Sequence, residues 1–137
     1  MMKVVNQQYT HLKPDEKAIA KRFVENVDFP GDYFYDVHLE VETPKIPDHW
    51  MTKEITAYQT LRAKRIDLLV KQHGGIWIFE ITPKVSKAAV GGVLTYRDLY
   101  IEQFKPKVPV YVGIIVEMDD KAYHPTLDKL GIELWVV

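Results

Sequence analysis

Apolar residues concentrate in two short runs, Arg65-Ile66-Asp67-Leu68-Leu69-Val70 and Ile76-Trp77-Ile78-Phe79-Glu80-Ile81-Thr82, separated by His73-Gly74-Gly75. Branched and aromatic side chains bounded by glycines predict two strands joined as a hairpin. Downstream, Val90, Val93, Leu94, Arg97, Ile101 and Phe104 recur at helical spacing behind Ser86, which predicts a helix from about Ser86 to Phe104 with the serine as its N-cap. The stretch Val110 to Val116 is apolar without a break, as expected of a strand covered on both faces. Strand, helix and strand over this length predict a right-handed crossover between parallel strands. A short helix from Pro125 to Leu130, closed by Gly131, then leads into a terminal strand from Ile132 to Val137.

Before the hairpin, Pro14 to Val27 reads as an amphipathic helix. Pro14 starts it, Asp15 and Glu16 suit its positive end, and Ile19, Phe23 and Val27 share one side. Phe29-Pro30-Gly31-Asp32 stops it, and Tyr33 to Val41 alternates as a strand. Pro44 and Pro47 make Glu42 to Trp50 a loop, and Glu54 to Arg62 is expected to form a further strand. The expected order is helix, four strands, helix, strand, helix, strand.

The hairpin carries the candidate chemistry. Side chains alternate along a strand, so Glu80 shares a face with Ile78 and Thr82, and Asp67 shares one with Arg65 and Leu69. A carboxylate among aliphatic side chains is costly unless it is paired or coordinates a metal. Two such groups side by side call for a cation, and hard oxygen donors favour Mg²⁺ or Mn²⁺. Asp67 and Glu80 are therefore candidate metal ligands.

This order, with Arg65-Ile66-Asp67, then Trp77-Ile78-Phe79-Glu80-Ile81-Thr82-Pro83, then Leu94-Thr95-Tyr96-Arg97-Asp98-Leu99-Tyr100, resembles the PD-(D/E)XK nuclease-like superfamily, and small phage-encoded members most. The resemblance spans about Pro14 to Val137. It implies an α/β restriction-endonuclease-like core, a central mixed sheet flanked by helices, and Asp67 and Glu80 as ligands of a divalent metal. In active members a lysine two residues after the Glu orients or activates the attacking water. Here Thr82 takes that place and cannot act as an ammonium does. Members often carry a Gln early in the following helix, where this chain has Gly91-Gly92. Lys84, on the strand parity of Glu80, is the candidate replacement cation, with Lys87 a second. An acid from the first helix completes the metal shell in some members, and Glu16 and Glu25 are both candidates.

Composition narrows the rest. The 137 residues, 47% of them apolar, suffice for one domain with a real core. The absence of cysteine excludes thiolate metal sites and thiol nucleophiles and is consistent with an intracellular chain. No apolar run reaches membrane-spanning length, so a soluble protein with no membrane partner is expected. A net charge of −1 provides no global attraction for nucleic acid, although Arg62, Lys64, Arg65, Lys84 and Lys87 offer a local basic stripe. His11, His38, His49, His73 and His124 are scattered without ligand spacing, Trp77 and Phe79 read as core, and Tyr96 and Tyr100 read as packing residues.

Two functions are thus expected. One is a phage nuclease that hydrolyses DNA phosphodiesters with Mg²⁺ or Mn²⁺ at Asp67, Glu80 and Lys84. The other is a catalytically silent copy of the fold, serving in virion assembly or as a binding module, with other phage proteins or itself as partner. Either implies the host cytoplasm or the virion.

Overall fold

The structure is a computed structural model that describes residues 3–5, 12–42, 44–62 and 64–137. Its elements in chain order are β1 (Lys3–Val5), α1 (Pro14–Asn26), β2 (Gly31–Leu39), α2 (Thr52–Arg62), β3 (Lys64–Gln72), β4 (Gly75–Ile81), α3 (Lys87–Phe104), β5 (Val110–Val116), α4 (His124–Leu130) and β6 (Ile132–Val136). The strands form one mixed sheet in the order β1-β2-β3-β4-β5-β6. The β2–β3 and β3–β4 pairs are antiparallel, while the β4–β5 and β5–β6 pairs, bridged by α3 and α4, are parallel, as is β1 with β2.

Local chemistry explains the helix limits. Ser86 Oγ accepts the Ala89 N–H at 3.0 Å and starts α3. Glu16 reaches back to the Lys13 N–H at 3.1 Å and steadies the first turn of α1. At the other end of α1, the Lys3 ammonium donates to the carbonyls of Val24 and Val27, placing a cation at the negative end of the helix.

Each face of the sheet carries its own core. On one side, Val85, Ala89, Val90, Val93 and Tyr100 of the α3 region pack on Leu69, Ile76, Ile78, Val112 and Ile114. On the other, Ile19, Ala20 and Phe23 of α1 pack on Tyr33, Tyr35, Leu68, Val70, Phe79, Ile81 and Ile115. Trp77, Trp135 and Phe29 extend this second core as a ring cluster with centroids 5.4–5.6 Å apart. Gly113 makes the cluster possible, since a Cβ there would lie 2.7 Å from the Phe79 ring and 2.8 Å from that of Trp135.

Two features depart from the sequence reading. Glu54 to Arg62 lies in helix α2, not in a strand. The β-branched and aromatic residues of Ile55-Thr56-Ala57-Tyr58 suggest extended chain, but Ile55 and Tyr58, three apart, share the half-buried side of a helix. The Glu54 carboxylate lies 3.5 Å from the Met51 N–H at its start, and Trp50 meets Tyr58 edge-on at 5.3 Å.

The second departure is in β2. Simple alternation would place Tyr33, Tyr35, Val37 and Leu39 on one face, yet the tyrosines join the α1 core while Val37 and Leu39 join the α3 core. Asp36, between them, has φ 56°, a left-handed conformation that reverses the alternation. β3 changes sides at the same level, with Ile66 in the α3 core and Leu68 in the α1 core. The register of β2 and β3 is continuous on both sides of this point, which sets Asp36 against Asp67.

Candidate functional site

The β3–β4 ladder ends at Leu68 and Phe79. Carried one step further, its register sets Asp67 opposite Glu80, so the two acids share the sheet face on which α3 lies. The strands separate here. The Ile81 N–H would meet β3 backbone in a continued ladder, but instead donates to Asp67 Oδ2 at 3.0 Å. Asp67 thus spans the gap between strands and is held by the backbone of the strand that carries Glu80.

Glu80 is half-buried, and its Oε2 has no contact with solvent and no hydrogen-bond partner among the described residues. Its pKa is pushed up to about 9, chiefly by burial, then by the Asp67 carboxylate and a hydrogen bond to it, and last by Glu16. Every one of these influences opposes ionisation. Glu80 therefore favours its protonated form at neutral pH.

Helix α3 roofs the pair. A Cβ on Gly92 would stand 3.6 Å from Glu80 Oε2, so the α3 backbone lies close over the carboxylate at this glycine. Tyr96 lies one turn further along the helix. Its phenol pKa is raised by burial and then by Glu80 and Asp67, which places the hydroxyl in the field of both acids. From the opposite side of the sheet, α1 contributes Glu16 through its contacts with β4 and β5. Of the two acids considered on that helix, Glu16 belongs to this neighbourhood. Glu25 is exposed at the far end of the helix and pairs with Lys21 at 3.9 Å.

The candidate cations are exposed. The chain bends at Pro83, where Thr82 Oγ1 donates to the Lys84 carbonyl at 3.2 Å, and Lys84 bridges to Met118 beside the end of β5. Strand parity therefore stops at Ile81, and the Lys84 side chain is exposed. Lys87, the first residue of α3, is exposed as well. Arg65 lies 3.6 Å from Asp36 Oδ1, as does His38 Nε2. The side chains of Arg62 and Lys64 in the expected basic stripe, and His11, lie outside the described residues. His124 Nε2 meets Asp119 Oδ1 at 2.7 Å, just beyond the same end of β5.

Among the described residues, no three His, Asp or Glu side chains gather as a ready metal site. A pair is nevertheless suited to Mg²⁺, which keeps most of its waters and takes one or two carboxylates. The solvent-free, unbonded Glu80 Oε2 is the observation that fits such an ion. Sequence reasoning missed Tyr96 as a neighbour of the acids. The available signal was its spacing of four residues from Gly92, which puts both on one side of α3. Asp36 gave no signal at all, being one polar position in an alternating strand.

No family model and no curated protein matches the chain. Among solved structures it is similar to a repair endonuclease from Pyrococcus abyssi, with a TM-score of 0.53 and 15% identity over 96% of this chain and 49% of that one. The chain thus has a nuclease-like fold and spans about half the length of that neighbour. No helix among the described residues is long and apolar enough to cross a membrane.

Proposed function

We propose that the protein is a metal-dependent nuclease of phage type that hydrolyses DNA phosphodiesters at the Asp67–Glu80 pair. The observation that carries this reading is the buried Glu80 Oε2, left without a hydrogen bond beside a second carboxylate. Holding two acids together in a sheet costs stability, and a surface-only role would not require it.

In this reading Asp67 and Glu80 hold Mg²⁺ or Mn²⁺, with Glu16 the additional acid within electrostatic reach. The ion supplies charge stabilisation at the phosphate and a more acidic water. The chain's own part is positional. Ile81 N–H fixes the Asp67 carboxylate, Gly92 lets the α3 backbone lie close over Glu80, and Tyr96 places its hydroxyl in the field of both acids. Holding the ion would require Glu80 in its ionised form, and the ion's charge would offset the influences that oppose it. The match with a repair endonuclease fold supports DNA as substrate, and the motif's likeness to small phage-encoded members supports the phage context, in the host cytoplasm or the virion.

One observation favours a second reading. Thr82 stands where the motif lysine belongs, and Lys84 is exposed beyond a bend. This suits a silent copy of the fold that binds DNA or other virion components without cutting. Incubation with supercoiled, linear and single-stranded DNA in Mg²⁺ and in Mn²⁺, beside an Asp67→Ala control, separates the two. Metal-dependent cleavage lost in the control establishes the nuclease. Inert protein that still binds Mn²⁺ through Asp67 establishes the silent copy.

A further inference from the structure

The outer edge of the sheet is β6, with the sequence Ile132-Glu133-Leu134-Trp135-Val136 and, among the described residues, β5 as its one neighbouring strand. Natural edges are usually blunted by proline, lysine, a bulge or extreme shortness. Here β1, at the other edge, is three residues long, whereas β6 is five residues with no proline and no lysine, and Glu133 is its only charge.

The backbone direction of β6 is fixed by its inner hydrogen bonds. Val137 N–H donates to Val116 O at 2.9 Å, so Val137 faces β5. Residues alternate in the side to which they point their N–H and C=O, and Trp135 and Glu133 therefore also face β5. Ile132, Leu134 and Val136 turn theirs outward, beyond the sheet.

This set is complementary to itself. In an antiparallel pair, opposed residues lie on the same face, so a two-fold register must centre on a residue. Centring on Glu133 would oppose two carboxylates. Centring on Leu134 pairs all five residues: Ile132 with Val136 of the second copy, Leu134 with its own equivalent, and Glu133 with Trp135. The outward-facing residues then oppose one another and exchange both N–H···O=C bonds, as a hydrogen-bonded antiparallel pair requires. The same register covers Val136, now 52% exposed, with an apolar neighbour, and brings the Glu133 carboxylate beside an indole instead of another acid.

We infer that β6 is a self-association edge, at which a second copy of this chain pairs antiparallel about Leu134 and continues the sheet across a two-fold axis. The dimer is isologous and closed, so it does not propagate into fibres. The inference is independent of what the acid pair does.

The chain has no cysteine, which makes a disulfide test specific. Leu134→Cys places the introduced thiols across the axis, with Cα atoms about 5.5 Å apart, within disulfide range. It should cross-link to a dimer on mild oxidation. Val136→Cys, whose opposite number is Ile132, should not cross-link with itself. Sedimentation of the wild-type protein should show a concentration-dependent dimer. Val136→Lys, a charge on an exposed edge position outside both cores, should weaken that dimer at least about tenfold while leaving the circular dichroism spectrum unchanged. A wild-type protein that stays monomeric at about 200 µM, a dimer insensitive to Val136→Lys, or equal cross-linking by both cysteine variants would overturn the inference.

Discussion

Asp67 Oδ2 accepts the Ile81 N–H at 3.0 Å, so a side chain takes the place of a backbone carbonyl where β3 and β4 part. This gives Asp67 two separable properties, an acceptor for the backbone and a charge beside Glu80. Asp67→Asn keeps the acceptor and removes the charge, while Asp67→Ala removes both. The asparagine variant should be the more stable of the two by about 1–3 kcal/mol, the cost of a half-buried amide left unbonded. Urea denaturation measures the difference. Equal stabilities would show that the hydrogen bond contributes nothing.

The Glu80 proton makes stability fall as pH rises. Below the ordinary value of 4.5, folded and unfolded chains both carry it, and the group has no effect. Between 4.5 and about 9 the folded chain retains a proton that the unfolded chain has lost, which costs up to about 1.4 kcal/mol per pH unit. Above that window both forms are ionised and the penalty levels off. Glu80→Gln should flatten this slope and stabilise the fold at neutral and mildly alkaline pH. Denaturation midpoints of both proteins across the window provide the check, and parallel curves would refute the assignment.

Gly91 and Gly92 lie inside a helix whose own packing does not require them. A Cβ on Gly91 meets nothing within 4 Å, and one on Gly92 meets only Glu80 Oε2 at an ordinary contact distance. Each Gly→Ala change should therefore raise stability by about 1 kcal/mol, the helix cost of glycine. Gly92→Leu, by contrast, places a branched side chain over Glu80 and should weaken Mn²⁺ binding in calorimetric titration, whereas Gly91→Leu should not. Loss of binding in both would point to a disrupted helix.

The exposed Lys84 and the substituted Thr82 predict opposite results. Lys84→Ala should change neither folding nor any Mg²⁺-dependent nicking, because its side chain faces solvent beyond the bend at Pro83. Thr82→Lys puts an ammonium two residues after Glu80 and should raise or create nicking of supercoiled DNA. Abolition of cleavage by Lys84→Ala would show that the exposed lysine enters the site during the reaction.

Hydrophobic period carried the sequence reading a long way. The hairpin through Gly74, the Ser86 cap, the doubly covered β5 and the joining of Asp67 with Glu80 all follow from alternation or helical spacing, which local sequence records. The failures share a different origin. At Ile55 to Tyr58, β-favouring side chains were outweighed by a helical half-buried side that only tertiary contact reveals. Period alone also does not register the bend at Pro83, beyond which Lys84 is exposed. The neighbourhood of Glu16, Gly92 and Tyr96 depends on two helices meeting one sheet from opposite sides, a long-range relation with no local signature.

The exchange of faces at Asp36 and Asp67 has a consequence for how the molecule comes apart. Because β2 and β3 each donate side chains first to one core and then to the other, neither layer can detach while its counterpart survives. Peeling away α1 would loosen the strand segments that continue beneath α3, and the reverse holds equally. The two layers are threaded through one another at the level of the acids, so the chain should melt as a single cooperative unit despite having two distinct interiors.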